Sequence, residues 1–147
     1  MEQVEVGRLR WLILTLVLLS CGSLAGCVPV VDIRVSSASA GEFEFSICEA
    51  ASFSSVRVDS VVGQKNVTIW EVEGPQIDGP TRLNLGAVPK GWKTIHNFDG
   101  RLDPDATGIY FVAASQDTSW PARYSLDEIP VDGWLKNDGS ATPNSCH

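Results

Sequence analysis

The feature that most constrains the fold is an alternation of apolar and polar residues over short stretches. The clearest case is 42–47, where Phe43, Phe45 and Ile47 alternate with polar residues. A period of two places the apolar side chains on one face of a β-strand. Turn-rich segments separate seven candidate strands, at 31–36, 43–47, 56–61, 67–73, 83–85, 109–114 and 124–129, of which 109–114 is a compact apolar run. The pattern predicts an all-β protein, a single antiparallel β-sandwich of about seven strands.

The sandwich is predicted to span residues 30–130. Within it, 90–100 is irregular, and Trp92, Ile95 and Phe98 are its predicted core anchors. Residues 131–147 are rich in Gly, Asp and Ser, which predicts a polar C-terminal tail.

The stretch 105–110 reads Asp-Ala-Thr-Gly-Ile-Tyr. It resembles the tyrosine corner of immunoglobulin-like and fibronectin-III-like sandwiches, in which a tyrosine hydroxyl bonds back to the backbone. The resemblance implies a structural role for Asp105, Gly108 and Tyr110. Val112 stands two residues after the tyrosine, so the core disulfide of antibody domains is absent. The resemblance is to the broad fold class and implies no specific function.

The first 26 residues have the three zones of a secretory signal peptide. Arg8 and Arg10 precede the apolar run 11–19, and small residues follow it. A membrane-spanning helix needs about 20 apolar residues, so this run is too short to remain as a permanent span. The pattern predicts a signal-peptide helix over residues 1–26.

The run ends in Leu24-Ala25-Gly26-Cys27, which resembles the lipobox of bacterial lipoproteins. The resemblance implies cleavage between Gly26 and Cys27, and lipidation of the Cys27 thiol with diacylglycerol. It also implies acylation, for example by palmitate, of the new amino group. Cys21 is a poorer acceptor because bulky Leu19 precedes it by two residues. Residues 27–29 would then form the lipidated N-terminus and linker.

With Cys21 removed and Cys27 lipidated, Cys48 and Cys146 remain. An oxidising extracytoplasmic compartment would permit a disulfide between them. The alternative is a buried free Cys48 with Cys146 in a flexible tail. The sequence leaves both possibilities open.

The net charge of −7 argues against nucleic acid as a partner, because phosphates require a basic surface. The sequence also lacks a polybasic segment for anionic lipids. We therefore expect the lipid on Cys27 to be the contact with the membrane.

Catalytic chemistry has few candidate residues. The chain has two histidines, His96 and the final residue His147, and no nucleophile elbow. We therefore predict a protein that is not an enzyme and has no cofactor.

One metal pattern is incomplete. Asp103, Asp105 and Thr107 with Gly108 match the opening of a calcium loop, but Ala114 stands where a bidentate Glu is required. A turn before the next strand explains the same residues, so we predict no metal site.

Trp92, Trp120 and Trp134 lie outside the clear strands. Exposed indoles would suit stacking against sugars, whereas buried ones would fill the sandwich core.

The leading hypothesis is a lipid-anchored bacterial envelope protein that faces away from the cytoplasm, on the cell membrane or outer membrane. It would be a non-enzymatic interaction or scaffolding module with an envelope protein as partner. The alternative is a module that binds cell-wall or other glycans through the three tryptophans.

Overall fold

Antiparallel strands make up nearly all of the regular structure in this computed structural model, which describes residues 31–39, 41–49 and 51–146. The predicted signal peptide and Cys27 lie outside these residues. The strands are β1 (Ile33–Ser39), β2 (Glu42–Ile47), β3 (Phe53–Val62), β4 (Lys65–Ile77), β5 (Thr81–Asn84), β6 (Lys93–His96), β7 (Ala106–Ala114), β8 (Ser119–Ser125), β9 (Trp134–Lys136) and β10 (Ala141–Thr142). A short 3₁₀ turn, Leu126–Glu128, follows β8.

The strands form two five-stranded sheets that pack face to face. Sheet 1 has the order β10-β9-β1-β2-β5, and sheet 2 has the order β6-β4-β3-β7-β8. Seven strands have the neighbours of the immunoglobulin-like strands: β1, β2 and β5 correspond to A, B and E, and β4, β3, β7 and β8 to C′, C, F and G. The predicted sandwich is confirmed, with β6, β9 and β10 as additional strands.

The inner faces of the two sheets form one core. Phe45 of sheet 1 stacks on Phe111 of sheet 2, with ring centroids 4.6 Å apart. Eleven large side chains in this core are fully buried: Ile33, Val35, Phe45, Ile47, Phe53, Val56, Val58, Trp70, Val72, Ile109 and Phe111. All of these residues except Phe53 come from apolar positions of the predicted strands, which explains why the sequence pattern located those strands. Phe53 begins β3, three residues before the predicted stretch 56–61.

The C-terminal region differs from its prediction as a tail. Trp134 and Leu135 lie in β9 and are buried, and Ser145 is only 4% exposed. The sandwich therefore extends to Cys146 instead of ending at residue 130. A three-residue strand is too short to show an alternation, so only its pairing with β1 and β10 reveals it.

Two further differences concern single elements. β8 precedes the predicted stretch 124–129 and overlaps it only at Tyr124 and Ser125. Ile95, a predicted core anchor, is 50% exposed because β6 is an edge strand, whereas Trp92 is buried as predicted.

Tyr124 joins the two sheets through its hydroxyl. The hydroxyl lies in the core and donates a hydrogen bond to the carbonyl oxygen of Ile33 in β1, at 2.7 Å. Burial raises the pKa of this phenol well above its usual value, and the nearby Asp32 carboxylate raises it further. The phenol therefore stays protonated and remains a donor.

The tyrosine predicted for this role was Tyr110. It lies in β7 opposite Arg123 of β8 and is partly exposed, between the buried neighbours Ile109 and Phe111. The hydroxyl bond that ties the sheets belongs to Tyr124 instead. The two tyrosines lie on opposite faces of sheet 2, which the motif alone could not show.

Replacing Tyr124 by Phe removes this bond, while the Ile33 carbonyl oxygen still accepts the Asn137 backbone N–H at 3.1 Å. We expect the free energy of unfolding to fall by about 0.5–1.5 kcal/mol, measured by urea denaturation. Tyr110→Phe is the matched control, and its effect should stay within about 0.5 kcal/mol.

The pH dependence provides a second readout of the same bond. Because the folded-state pKa is raised, wild-type stability should fall as the pH rises above about 10, the unfolded value. The Tyr124→Phe variant should lose this decline. Equal effects of both substitutions would contradict the assignment.

Candidate functional site

The three tryptophans proposed for glycan binding do not form a common exposed surface. Trp92 and Trp134 are 9% and 8% exposed, and Trp120 is partly buried against the core. Trp92 and Trp120 belong to the sheet 2 side, whereas Trp134 lies in sheet 1. Trp92 and Trp134 therefore lack the exposed indoles that the glycan alternative requires.

Trp92 packs against the core at a position that needs a glycine. Its ring makes an edge contact with Phe53, with centroids 6.0 Å apart. A Cβ atom on Gly74 would lie 2.5 Å from the Trp92 ring, so only glycine lets the indole lie against β4. Trp92 is a packing residue.

Cys48 and Cys146 are bonded to each other in the structure, with Cα atoms 4.9 Å apart. The bond holds residues 143–146, here called the C-terminal segment, against sheet 1. The Ser46 hydroxyl lies 2.8 Å from the Cys146 sulfur. The predicted tail is therefore attached at its far end to the chain just after β2.

Two arginines hold the same segment on the outer face of sheet 1. Arg34, Ser46 and Arg82 form a row across β1, β2 and β5. Arg34 donates to the carbonyl oxygen of Asn144 at 2.9 Å and also to that of Ser145. Arg82 donates to the Ser145 hydroxyl. The segment thus accepts hydrogen bonds from both arginines of this row, while Asp32 holds the Nε and Nη2 atoms of Arg34.

Arg82 also lies over the Trp134 ring, 5.5 Å from its centroid. A cation–π contact of this kind favours the indole in a covered position. Arg82 therefore covers the Trp134 ring in addition to holding the C-terminal segment.

The residues considered for catalysis or metal binding lie on an edge strand and in a turn. His96 is exposed on edge strand β6, opposite Glu71. The Asp105 backbone N–H donates to Asp103 Oδ1 at 2.8 Å, which forms the turn before β7. Among the described residues, no three His, Cys, Asp or Glu side chains are grouped to hold a metal ion.

Asp59 is a buried acid, 4% exposed, and its Oδ1 has two partners. Its carboxylate lies 3.2 Å from Arg57 Nε and accepts a 2.9 Å hydrogen bond from the Thr68 hydroxyl. Such pairing indicates a structural role on the outer face of sheet 2.

The two ends of the sandwich differ in their position along the chain. β1 begins at Ile33, so the end that contains Ile33 also contains the Cys48–Cys146 bond; we call it the near end. At the opposite, far end lie the β1–β2 turn, the β3–β4 hairpin turn and the loop 97–105. The directions of the strands place each of these turns and loops at its end of the sandwich.

Two grooves lie at the far end, on either side of loop 97–104. The hairpin groove, about 560 Å³, lies between this loop and the β3–β4 hairpin and includes Val67, Ile69 and Leu102. The β1–β2 groove, about 720 Å³, lies on sheet 1 and includes Glu44 and Val131. The loop contributes residues to both grooves, so it forms the wall between them.

Exposed apolar side chains accompany these grooves. Among the described residues, Val67, Val88, Ile95 and Val131 are the large apolar side chains that are exposed. Val67, 49% exposed, lines the hairpin groove, and Val131, 66% exposed, lines the β1–β2 groove. The far end is therefore our candidate interaction surface.

The sequence interpretation did not single out this surface. Loop 97–104 and the turn after β8 are brought together only by the pairing of distant strands. The surplus of Asp in both segments was the available signal, but acidity alone indicates only solubility.

Comparisons with known proteins add no further assignment: no protein-family model, curated protein or solved structure matches the chain. In the part of the chain that the structure describes, we find no helix of the length and apolarity that crossing a membrane requires.

Removing the Cys48–Cys146 bond by Cys146→Ser should lower the free energy of unfolding by about 4–5 kcal/mol, the chain-entropy value for a loop of this length. Wild-type protein treated with a thiol reductant should show the same loss, measured by urea denaturation. A variant as stable as the oxidised wild type would show that the bond is not formed.

Trp92→Ala should destabilise the fold by about 3–5 kcal/mol, because it empties a packed site beside Phe53. The fluorescence of Trp92 can be obtained by subtracting the spectrum of a Trp92→Phe variant from that of the wild type. Iodide should quench little of this difference signal. Strong quenching of that component would instead identify Trp92 as an exposed indole.

Proposed function

We propose that the chain is a lipid-anchored, extracytoplasmic protein-interaction module of the bacterial envelope, and that it is not an enzyme. The observation that carries the proposal is that the start of the first strand and the two grooves lie at opposite ends of the sandwich. The first strand begins at the near end, six residues after the lipobox cysteine in the sequence, while the two grooves and two exposed valines lie at the far end.

The distance to the proposed anchor supports this arrangement. Six peptide units separate Cys27 from Ile33, and an extended chain spans at most about 3.6 Å per residue, or roughly 20 Å. A lipid on Cys27 would keep the near end close to the bilayer and leave the far end accessible. Tethering in a shared membrane raises the effective concentration of a partner.

The chemistry of the described residues supports binding over catalysis. His96 is exposed, and no described hydroxyl or thiol is hydrogen-bonded to it. Asp59 is held by Arg57 and Thr68 on the outer face of sheet 2. The Cys48–Cys146 bond is compatible with an oxidising compartment outside the cytoplasm.

The glycan alternative receives less support. It requires exposed indoles at Trp92, Trp120 and Trp134, and the structure packs all three against protein. Protein interaction through the far end is therefore the function that the geometry favours.

Photo-crosslinking in intact cells tests the proposal. A benzophenone amino acid at Val131 should crosslink one envelope protein specifically, whereas the same group at Gln116, exposed at the near end, should not. The crosslink should weaken strongly in a Cys27→Ala background and persist in a Cys21→Ala background.

Palmitate labelling checks the anchor in the same strains. Label should disappear with Cys27→Ala and remain with Cys21→Ala. Equal crosslinking from both ends, or no specific product from the far end, would contradict the interaction-module proposal.

A further inference from the structure

We propose that the β1–β2 groove docks an extended, cationic segment of the partner protein. The inference rests on the proposed function for the existence of a partner, and it adds the place and the chemistry of the contact. Three features of the described residues support it: the covered half of the same face, the walls of the groove and its charge.

The outer face of sheet 1 already holds one extended segment. The C-terminal segment lies over the row Arg34, Ser46 and Arg82. The register places another outward row, Ser36, Glu44 and Asn84, two residues farther along the same strands. The second row lines the groove and is not covered by the segment. An extended chain could continue along the face from the covered half into the open half.

The groove has apolar walls next to this polar row. Leu85 and Phe98 stand on one side, and Val131 on the other side is 66% exposed. The wall is built around the turn at Gly86, whose positive φ of 86° suits glycine and brings it against the Phe98 ring. A partner segment with apolar side chains could cover Val131 and Phe98 from water.

The charge of the groove selects the partner. Glu42 and Glu44 are its ionisable lining residues, and no Lys, Arg or His lines it. The bordering loop 126–133 adds Asp127, Glu128 and Asp132 and has no basic residue. Like charges would repel an acidic segment, whereas Lys or Arg side chains would be steered toward the two glutamates.

The nearby basic residue does not cancel this field. Arg82 Nη1 is 3.6 Å from Glu44 Oε1, and its side chain is 53% exposed, so the pair is weak. Glu42 accepts a hydrogen bond from the Ser39 hydroxyl instead of a cation. Both carboxylates therefore remain available to a partner's cations.

The hairpin groove differs in this respect. Its lining places His96 and Arg101 together with Asp99 and Asp103, so both signs of charge are present. A cationic segment has no electrostatic preference for such a surface. The charge pattern therefore favours the β1–β2 groove over its neighbour.

A peptide-binding assay on the full chain in neutral detergent micelles tests the inference. The probe is a fluorescent peptide of alternating lysine and valine, with a glutamate–valine peptide as the control. We expect the lysine peptide alone to bind, and Glu42→Gln/Glu44→Gln to raise its Kd about tenfold. The matched variant Glu49→Gln/Asp117→Asn removes the same charge from two exposed acids at the near end and should change Kd less than about twofold.

A second variant guards against misfolding. Ser36→Lys places a cation in the groove without changing either glutamate and should weaken binding by a similar factor. Urea midpoints close to wild type would confirm that the variants are folded. No binding of the lysine peptide, or equal weakening by the groove pair and the matched pair, would overturn the inference.

The two proposals fail in different ways. A partner that crosslinks to Val131 in cells but is not displaced by the lysine peptide would refute the cationic segment and leave the interaction module standing. Absence of any far-end crosslink would refute the module, whatever the peptide does.

Discussion

The contact on which the rest of the structure depends is the packing of the two inner faces, centred on the stacked pair Phe45 and Phe111. Burying each of these side chains contributes about 1.5–3 kcal/mol. The pair joins β2 of sheet 1 to β7 of sheet 2. Because side chains alternate along a strand, fixing the inner residues also fixes the outer ones. The row Ser36, Glu44 and Asn84 faces outward for this reason.

This dependence explains what the sequence could predict. The inner face has a local signature, as in β2, where Phe43, Phe45 and Ile47 mark one face within six residues. β6 has no such signature because all four of its residues are exposed, and β9 is too short to alternate. Strands that fill the core were therefore visible in the sequence, whereas β6, β9 and β10 were not.

The candidate site was less predictable because it depends on contacts between distant residues. Arg34 and Ser145 are 111 positions apart, and nothing near either residue indicates that they meet. The choice between Tyr110 and Tyr124 had the same difficulty. The motif before Tyr110 describes a local turn, whereas the bond to Ile33 depends on which face of sheet 2 each tyrosine occupies. Local patterns give the faces of strands, and tertiary pairing decides which faces stay open.

The outer face of sheet 1 has two different halves. The C-terminal segment covers one half, and the other half is the open β1–β2 groove. In the covered half, the two arginines are satisfied by Asp32 and by oxygens of the segment. In the open half, no basic residue lines the groove, and Glu44 has only the weak, exposed pair with Arg82 at 3.6 Å. A chain anchored near the start of β1 would hold the covered half toward the membrane and present the acidic half outward. An anionic bilayer would repel that acidic surface, which keeps it free for a basic partner. With such an anchor, the same charge separation would orient the domain and select what it binds.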